Sequence, residues 1–155
     1  GRKDAHGANF QNWKWWPNTL KAHQLIHFAV EKKNENQNDH RFELDTSICN
    51  SILFEAIYEK GENISLVDTL VKIGMEQMNI QNEQELRDYL EEDRGAKHVL
   101  SEIQSGRNRY DIRGVPFFII SQKDSNQRPY GLSGAQTSSA FLRVFNKLTN
   151  EEGDA

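Results

Sequence analysis

Apolar residues recur at helical spacing along much of the chain. Asn18 or Thr19 can cap a first helix, and Ala22, Leu25, Ile26, Ala29 and Val30 then line one face of it. The tract Glu31-Lys32-Lys33-Asn34-Glu35-Asn36-Gln37-Asn38-Asp39 is polar all round and is expected to end that helix in a solvated connection. A second helix follows Asp45, whose carboxylate can accept from the free N–H groups of a first turn. Ile48, Cys49, Ile52, Leu53, Ala56 and Ile57 form its buried side. Lys60-Gly61 is a stop, with glycine taking the left-handed cap. Ser65-Leu66-Val67-Asp68 has capping-box spacing, with Asp where Glu or Gln is usual. It precedes a third stripe of Val67, Leu70, Val71, Gly74, Met75 and Met78. Asn82 with Glu85 opens a short fourth helix on Leu86, Tyr89 and Leu90. A fifth is expected from about Asp93 to Ser105 on Ala96, Val99, Leu100 and Ile103.

The pattern then changes. Pro116-Phe117-Phe118-Ile119-Ile120 is a short apolar, aromatic and β-branched run bounded by turn residues, which predicts a buried strand. Ser121 to Pro129 is a polar loop, and Tyr130-Gly131-Leu132 is a candidate partner strand. Thr137 or Ser138 caps a last helix with Ala140, Phe141, Val144, Phe145 and Leu148 inward. Residues 1–17 are expected to be loop, and the acidic residues 151–155 a frayed tail. Two strands are marginal alone, and one terminal helix covers one face of the pair. The outer edge of Pro116–Ile120 is therefore expected to lack a partner in this stretch.

Composition narrows the classes. With 155 residues, a hydrophobic fraction of 36% and aromatics at 10%, the chain supports a modest core. One cysteine excludes an intrachain disulfide framework and a cysteine-rich zinc site. A net charge of −4 with no Lys/Arg block argues against nucleic-acid binding. No run approaches the roughly 18 apolar residues of a membrane span. The opening GRKDAHGANF has no apolar core of the signal-peptide kind, so no signal is expected in it. With the lone cysteine this suits the cytoplasm.

The candidate chemistry is sparse. Gly114 permits a tight turn before Pro116, which cannot donate a ladder hydrogen bond and so belongs at the first position of a strand. A cis Val115–Pro116 bond would turn the backbone groups of Val115 outward as a docking edge; an ordinary trans proline starting a strand is the simpler alternative. Cys49 falls between Ile48 and Ile52 on an apolar face, where burial raises a thiol's pKa and leaves it inert. His23 and His27 have zincin-like spacing, but Gln24 replaces the acidic base and no third ligand is evident, so no metal is expected. Trp13, Trp15 and Trp16 form either a binding patch or a lid folded over the helices. Gly131 and Gly134 are too sparse for a dinucleotide fingerprint, Met75 and Met78 are core filler, and Glu91-Glu92-Asp93 is a solvated helix junction. The residues demand no cofactor.

Arg113-Gly114-Val115-Pro116-Phe117-Phe118, followed by Leu132-Ser133-Gly134-Ala135-Gln136, resembles the C-terminal half of DsbA-like thioredoxin-fold proteins, particularly the FrnE branch of disulfide oxidoreductases. Pro17-Asn18-Thr19-Leu20-Lys21-Ala22-His23 is similar to a first motif of that branch's inserted helices. Leu53-Phe54-Glu55-Ala56-Ile57-Tyr58, with Gly61 and Ile64-Ser65, is similar to a second. The resemblance covers roughly residues 10–148. It implies an α/β, mainly helical chain: a thioredoxin-like fold with an inserted helical domain at 18–110 and a strand–strand–helix half at 111–150. The N-terminal strand–helix–strand and its Cys-x-x-Cys are not in this stretch. The resemblance also implies thiol–disulfide oxidoreductase or isomerase activity and a cis bond at the position matching Pro116. Arg113, Gly114, Val115, Pro116 and His23 would line a groove for protein thiols or disulfides, or for glutathione. No catalytic residue is expected here, because thiol–disulfide exchange needs an attacking and a resolving thiol. Two alternatives stand beside it. Kappa-type glutathione transferases and hydroxychromene carboxylate isomerases also combine inserted helices with a Val-Pro strand start. A non-catalytic binding module would use the helical insertion, the Trp segment or the unpaired strand edge, and is expected to self-associate through Pro116–Ile120.

Overall fold

The computed structural model describes residues 10–35, 44–123 and 125–150. The expected loop before Phe10, the connection at 36–43 and the tail beyond 150 lie outside the described residues. In chain order the elements are α1 (Leu20–Glu35), α2 (Thr46–Phe54), a π-helical turn (Glu55–Lys60), α3 (Val67–Gln77), α4 (Glu83–Glu91), α5 (Ala96–Tyr110), β1 (Phe117–Ile120), β2 (Tyr130–Ser133) and α6 (Ser138–Asn150). Among the described residues the chain is mainly helical, with one two-stranded antiparallel sheet. The chain forms two compact units, Gly1–Ser101 and Glu102–Ala155.

Local chemistry sets most helix ends. Asn18 Oδ1 accepts from Leu20 N at 2.9 Å, Asp45 Oδ1 from Ile48 N at 2.8 Å, and Asn82 Oδ1 from Glu85 N at 3.1 Å. Each satisfies an N–H that the helix itself leaves bare. The expected capping box at Ser65 does not form. Ser65 instead donates its hydroxyl and its backbone N–H to Asn63 Oδ1, and Leu66 precedes α3 without a side-chain cap. Asn63, two residues upstream, competes for the serine in a local turn. Asp68, the expected box partner, pairs with Arg87 Nη1 at 2.6 Å. The polar tract after Val30 does not end α1 either; the helix runs on to Glu35. Glu and Lys are good helix formers, and Lys32 reaches Glu85 at 2.6 Å while Lys33 Nζ donates to the Leu44 carbonyl at 3.0 Å.

In the first unit, α1 packs on α2, α3 and α4. Leu25, Leu70, Ile73, Leu86, Leu90 and Cys49 are buried at the centre, and Ala22, Ile26, Phe28, Ala29, Leu53, Ala56, Ile57 and Met78 extend the core. At its C-terminal end the second helix widens into the π-helical turn and stops at Gly61, whose φ of +71° is left-handed. Glu62 N closes the cap on the Ala56 carbonyl at 2.9 Å.

In the second unit, β1 pairs with β2 in the register Phe117↔Ser133, Phe118↔Leu132, Ile119↔Gly131 and Ile120↔Tyr130. Side chains alternate between faces. On one face Phe118 meets Phe141 of α6 edge-on at 4.9 Å and Lys147 lies over the Tyr130 ring. Ala140, Val144 and Leu148 are the buried residues of α6; Phe141 is half-buried, and Phe145 is exposed, against expectation. The strand is not buried as expected: Phe118 is 37% and Ile119 44% exposed. One hairpin with one helix has too little mass to cover both faces of an apolar strand. Leu100 and Ile103 on α5 are exposed for the same want of a neighbour, and only Val99 of their stripe is buried.

At Gly61 a Cβ would collide with the Asn12 carbonyl oxygen while the backbone sits in the left-handed region. Gly61→Ala is expected to lower stability by more than about 1 kcal/mol, measured by urea unfolding. It should also shift tryptophan emission, because Trp15 Nε1 donates to the Gly61 carbonyl at 3.0 Å.

Candidate functional site

The sequence-predicted site residues belong to different units. Arg113, Gly114, Val115 and Pro116 stand at the head of β1 in the second unit. His23 lies on α1 in the first.

Val115 is 90% exposed. The Val115–Pro116 peptide bond is cis. Pro116 lies just ahead of the β1 ladder and still accepts through its carbonyl from Gly134 N at 2.8 Å. A proline fits there because its missing N–H is asked for by no partner strand. Arg113 Nε donates to Asp111 Oδ1 at 2.9 Å, and both side chains are exposed. Gly114 lies in the bend at residues 114–116 ahead of β1, where a Cβ would meet no atom within 4 Å. Among the described residues, the edge of β1 away from β2 has no strand against it. The second unit thus presents an exposed valine, a strand edge and a solvent-facing guanidinium in sequence. This arrangement can receive an extended chain; it holds no nucleophile.

No family model matches the chain, and no match is found among curated proteins.

Cys49 is fully buried within α2. Burial, then the Asp45 carboxylate, pushes its thiol from the usual 9.0 up to about 11. A thiol so held is neither a nucleophile nor a ready ligand. Among the described residues there is no group of three or more His, Cys, Asp or Glu able to hold a metal ion, and no helix long and apolar enough to cross a membrane.

The histidines take separate roles. His23 is exposed. His27 is half-buried, with Nδ1 3.0 Å from Tyr89 Oη and 3.2 Å from Glu31 Oε2, and its ring lies 3.9 Å from that of His98. With Nδ1 bare, Tyr89 donates to it; with Nδ1 protonated, it donates to Glu31. Burial, then Glu31, raises the Tyr89 pKa, so the phenol keeps its proton.

Three polar residues beside them escape a one-dimensional pattern. Gln24 is fully buried on the apolar face of α1 and donates to Asp93 Oδ1 at 3.0 Å. Lys21 Nζ reaches the same oxygen at 2.8 Å and the Leu90 carbonyl at 2.5 Å. Asp93 holds a φ of +52° in the turn between α4 and α5. Lys21 first, then Gln24, holds its carboxyl below the ordinary value. The acidic junction is solvated as expected, with Glu91, Glu92 and Asp93 exposed, and Asp93 in addition ties α1 to that turn. The one signal available was a glutamine set among Ala22, Leu25 and Ile26.

The raised Cys49 value has a sign. The folded state disfavours the thiolate, so this contribution to stability is complete below the unfolded value near pH 9 and is lost as pH rises to about 11. The urea midpoint should fall across that window in the native chain and stay flatter in Cys49→Ala. A disulfide reagent at pH 8 should label native Cys49 far more slowly than the urea-unfolded chain.

Proposed function

We propose that this chain is the insertion and second half of a DsbA-like, FrnE-type thioredoxin-fold protein. It would work in thiol–disulfide exchange as the docking side of a site whose thiols lie outside these residues. The observation that carries the proposal is the second unit. A Val-Pro pair, with Val115 almost fully exposed, leads into an antiparallel hairpin backed by α6, in the order that the resembling motifs require. Backbone groups at such an edge recognise an extended chain by adding a strand to it, without reading its side chains closely. That suits a substrate class defined by a thiol or disulfide. Arg113 would add a cation for a peptide or glutathione carboxylate. His23 belongs to this groove by resemblance alone. A cytoplasmic location is part of the same proposal, supported by the lone buried cysteine.

The test is a titration of the isotope-labelled chain with a short extended peptide carrying a glutathione mixed disulfide. Amide shifts are expected to concentrate at residues 113–120, with weaker ones for the serine analogue of the peptide. Shifts of equal size with free glutathione alone would favour the kappa-type transferase alternative, and undisturbed amides at 113–120 would sink both. Disulfide-reductase turnover by this chain should be absent; turnover surviving Cys49→Ser would overturn the missing-nucleophile argument.

The same edge supports a second reading. Phe118 and Ile119 are exposed on an uncharged four-residue strand, the kind of edge that pairs with another copy. Sedimentation should then show concentration-dependent dimers that Ile119→Lys disperses; a strict monomer at all concentrations would remove this reading.

A further inference from the structure

The second unit leaves its cations unanswered. In the first unit Lys21, Lys32, Lys60, Arg87 and Arg94 each face a carboxylate at 2.6–3.1 Å. In the second, Arg113 is paired with Asp111 at 2.9 Å. Lys123, Arg128, Arg143 and Lys147 are exposed and stand in no ion pair among the described residues. From Ile112 to Asn150 the sequence holds five lysines and arginines and one acid, Asp124.

Three of the unanswered cations gather at one end of β1. Lys123 is three residues past Ile120, so their Cα atoms lie at most about 11 Å apart. Arg128 is two residues ahead of Tyr130, at most about 7 Å from it by the same measure, and Tyr130 stands directly opposite Ile120. Lys147 reaches that place from α6, with Nζ 5.9 Å from the centre of the Tyr130 ring. The Ile120 end of the strand is therefore ringed by positive charge from the loop on both sides and from the helix.

The register says which backbone groups lie beside that charge. Gly134 N donates to the Pro116 carbonyl, so the hydrogen-bonded pairs of the ladder are Phe118↔Leu132 and Ile120↔Tyr130. The N–H and C=O groups of Phe117 and Ile119 then point to the free edge. Such groups pair with the backbone of another extended chain, which a nucleic acid or a lipid does not offer. The cations ask that this chain be acidic. A second copy would bring the same unanswered cations, so charge selects against it.

We propose that the free edge of β1 selects an extended peptide with acidic residues, one of them seated at the Lys123, Arg128 and Lys147 end. This selectivity rests on the docking reading of the same edge and adds a substrate class to it.

The experiment uses the whole chain, isotope-labelled, and three extended peptides. Each is Glu-Thr-Val-Cys-Val-Thr-Glu, capped at both ends, with the cysteine as a glutathione mixed disulfide; in two of them both Glu are replaced, by Gln or by Lys. A chain of that length spans about 23 Å and so overreaches a four-residue strand at both ends. The Glu peptide is expected to bind about tenfold more tightly than the Lys peptide, with Gln between. It should slow amide exchange at Phe117 and Ile119 more than at Phe118 and Ile120. Lys123→Gln and Arg128→Gln should each weaken the Glu peptide by about threefold and leave the Gln peptide unchanged. Added salt should narrow the gap between Glu and Lys. Equal affinity for the Glu and Lys peptides, with Phe117 and Ile119 still protected, would overturn the charge selection and leave the docking reading standing. No response at those amides to any of the three would overturn both. Tighter binding of oligothymidylate than of the Glu peptide, without protection of those amides, would assign the cations to a polyanion and overturn the selection too.

Discussion

Helices α1, α3 and α4 meet where Gly74 leaves out a side chain. A Cβ at that position would lie 2.7 Å from Leu86 Cδ2, 3.0 Å from Ile80 Cδ1 and 3.2 Å from Leu25 Cδ1. Three buried branched side chains from three parts of the chain therefore close on one bare backbone. Interiors are packed densely enough that a single methyl is felt, so this contact sets how near the three helices come. The distances that matter for the polar tie at Asp93 follow from it. Lys21 and Gln24 can share one carboxylate oxygen only because α1 is held at that separation from the end of α4. The same placement brings His27 to Tyr89.

What the sequence made legible was local. Asn18, Asp45, Asn82 and Gly61 act on atoms within a few residues of themselves, and each was found where its chemistry placed it. Ser65 failed as a cap because Asn63, also local, competes for it. Helices α1 and α5 run on past the polar residues expected to end them. Glu, Lys, Gln and Arg extend a helix at little cost, and Gln104 bonds Asn108 one turn along. Gln24 and Asp93 stand 69 residues apart, a separation that no window spans. Burial departs from expectation at several apolar residues. Phe118, Ile119, Leu100 and Ile103 have the residue types of a core, but whether they are covered depends on what packs against them, and a residue's type does not carry that information.

At the candidate site, the Val115–Pro116 pair, the start of β1 and the inertness of Cys49 could be read in advance. The placing of Arg113, Gly114 and His23 in a common groove comes only through resemblance. Of these, Arg113 is exposed beside Asp111, and Gly114 has room for a side chain. The second unit is thus a surface that offers backbone and hydrophobic area but no reactive group.

The π-helical turn at Glu55–Lys60 has a consequence for counting residues. Such a turn carries one residue more than an α-helix needs for the same advance. The residues before and after it are therefore out of phase by about 100° relative to a straight helix. Ala56 and Ile57 continue the stripe of Cys49 and Leu53 at ordinary helical spacing and stay in the core, while Tyr58, half-buried, packs against it. The added residue therefore acts beyond them and sets where the chain leaves the helix at Gly61. Losing one position here would turn Gly61 away from Asn12 and Trp15, the two residues that now approach its backbone.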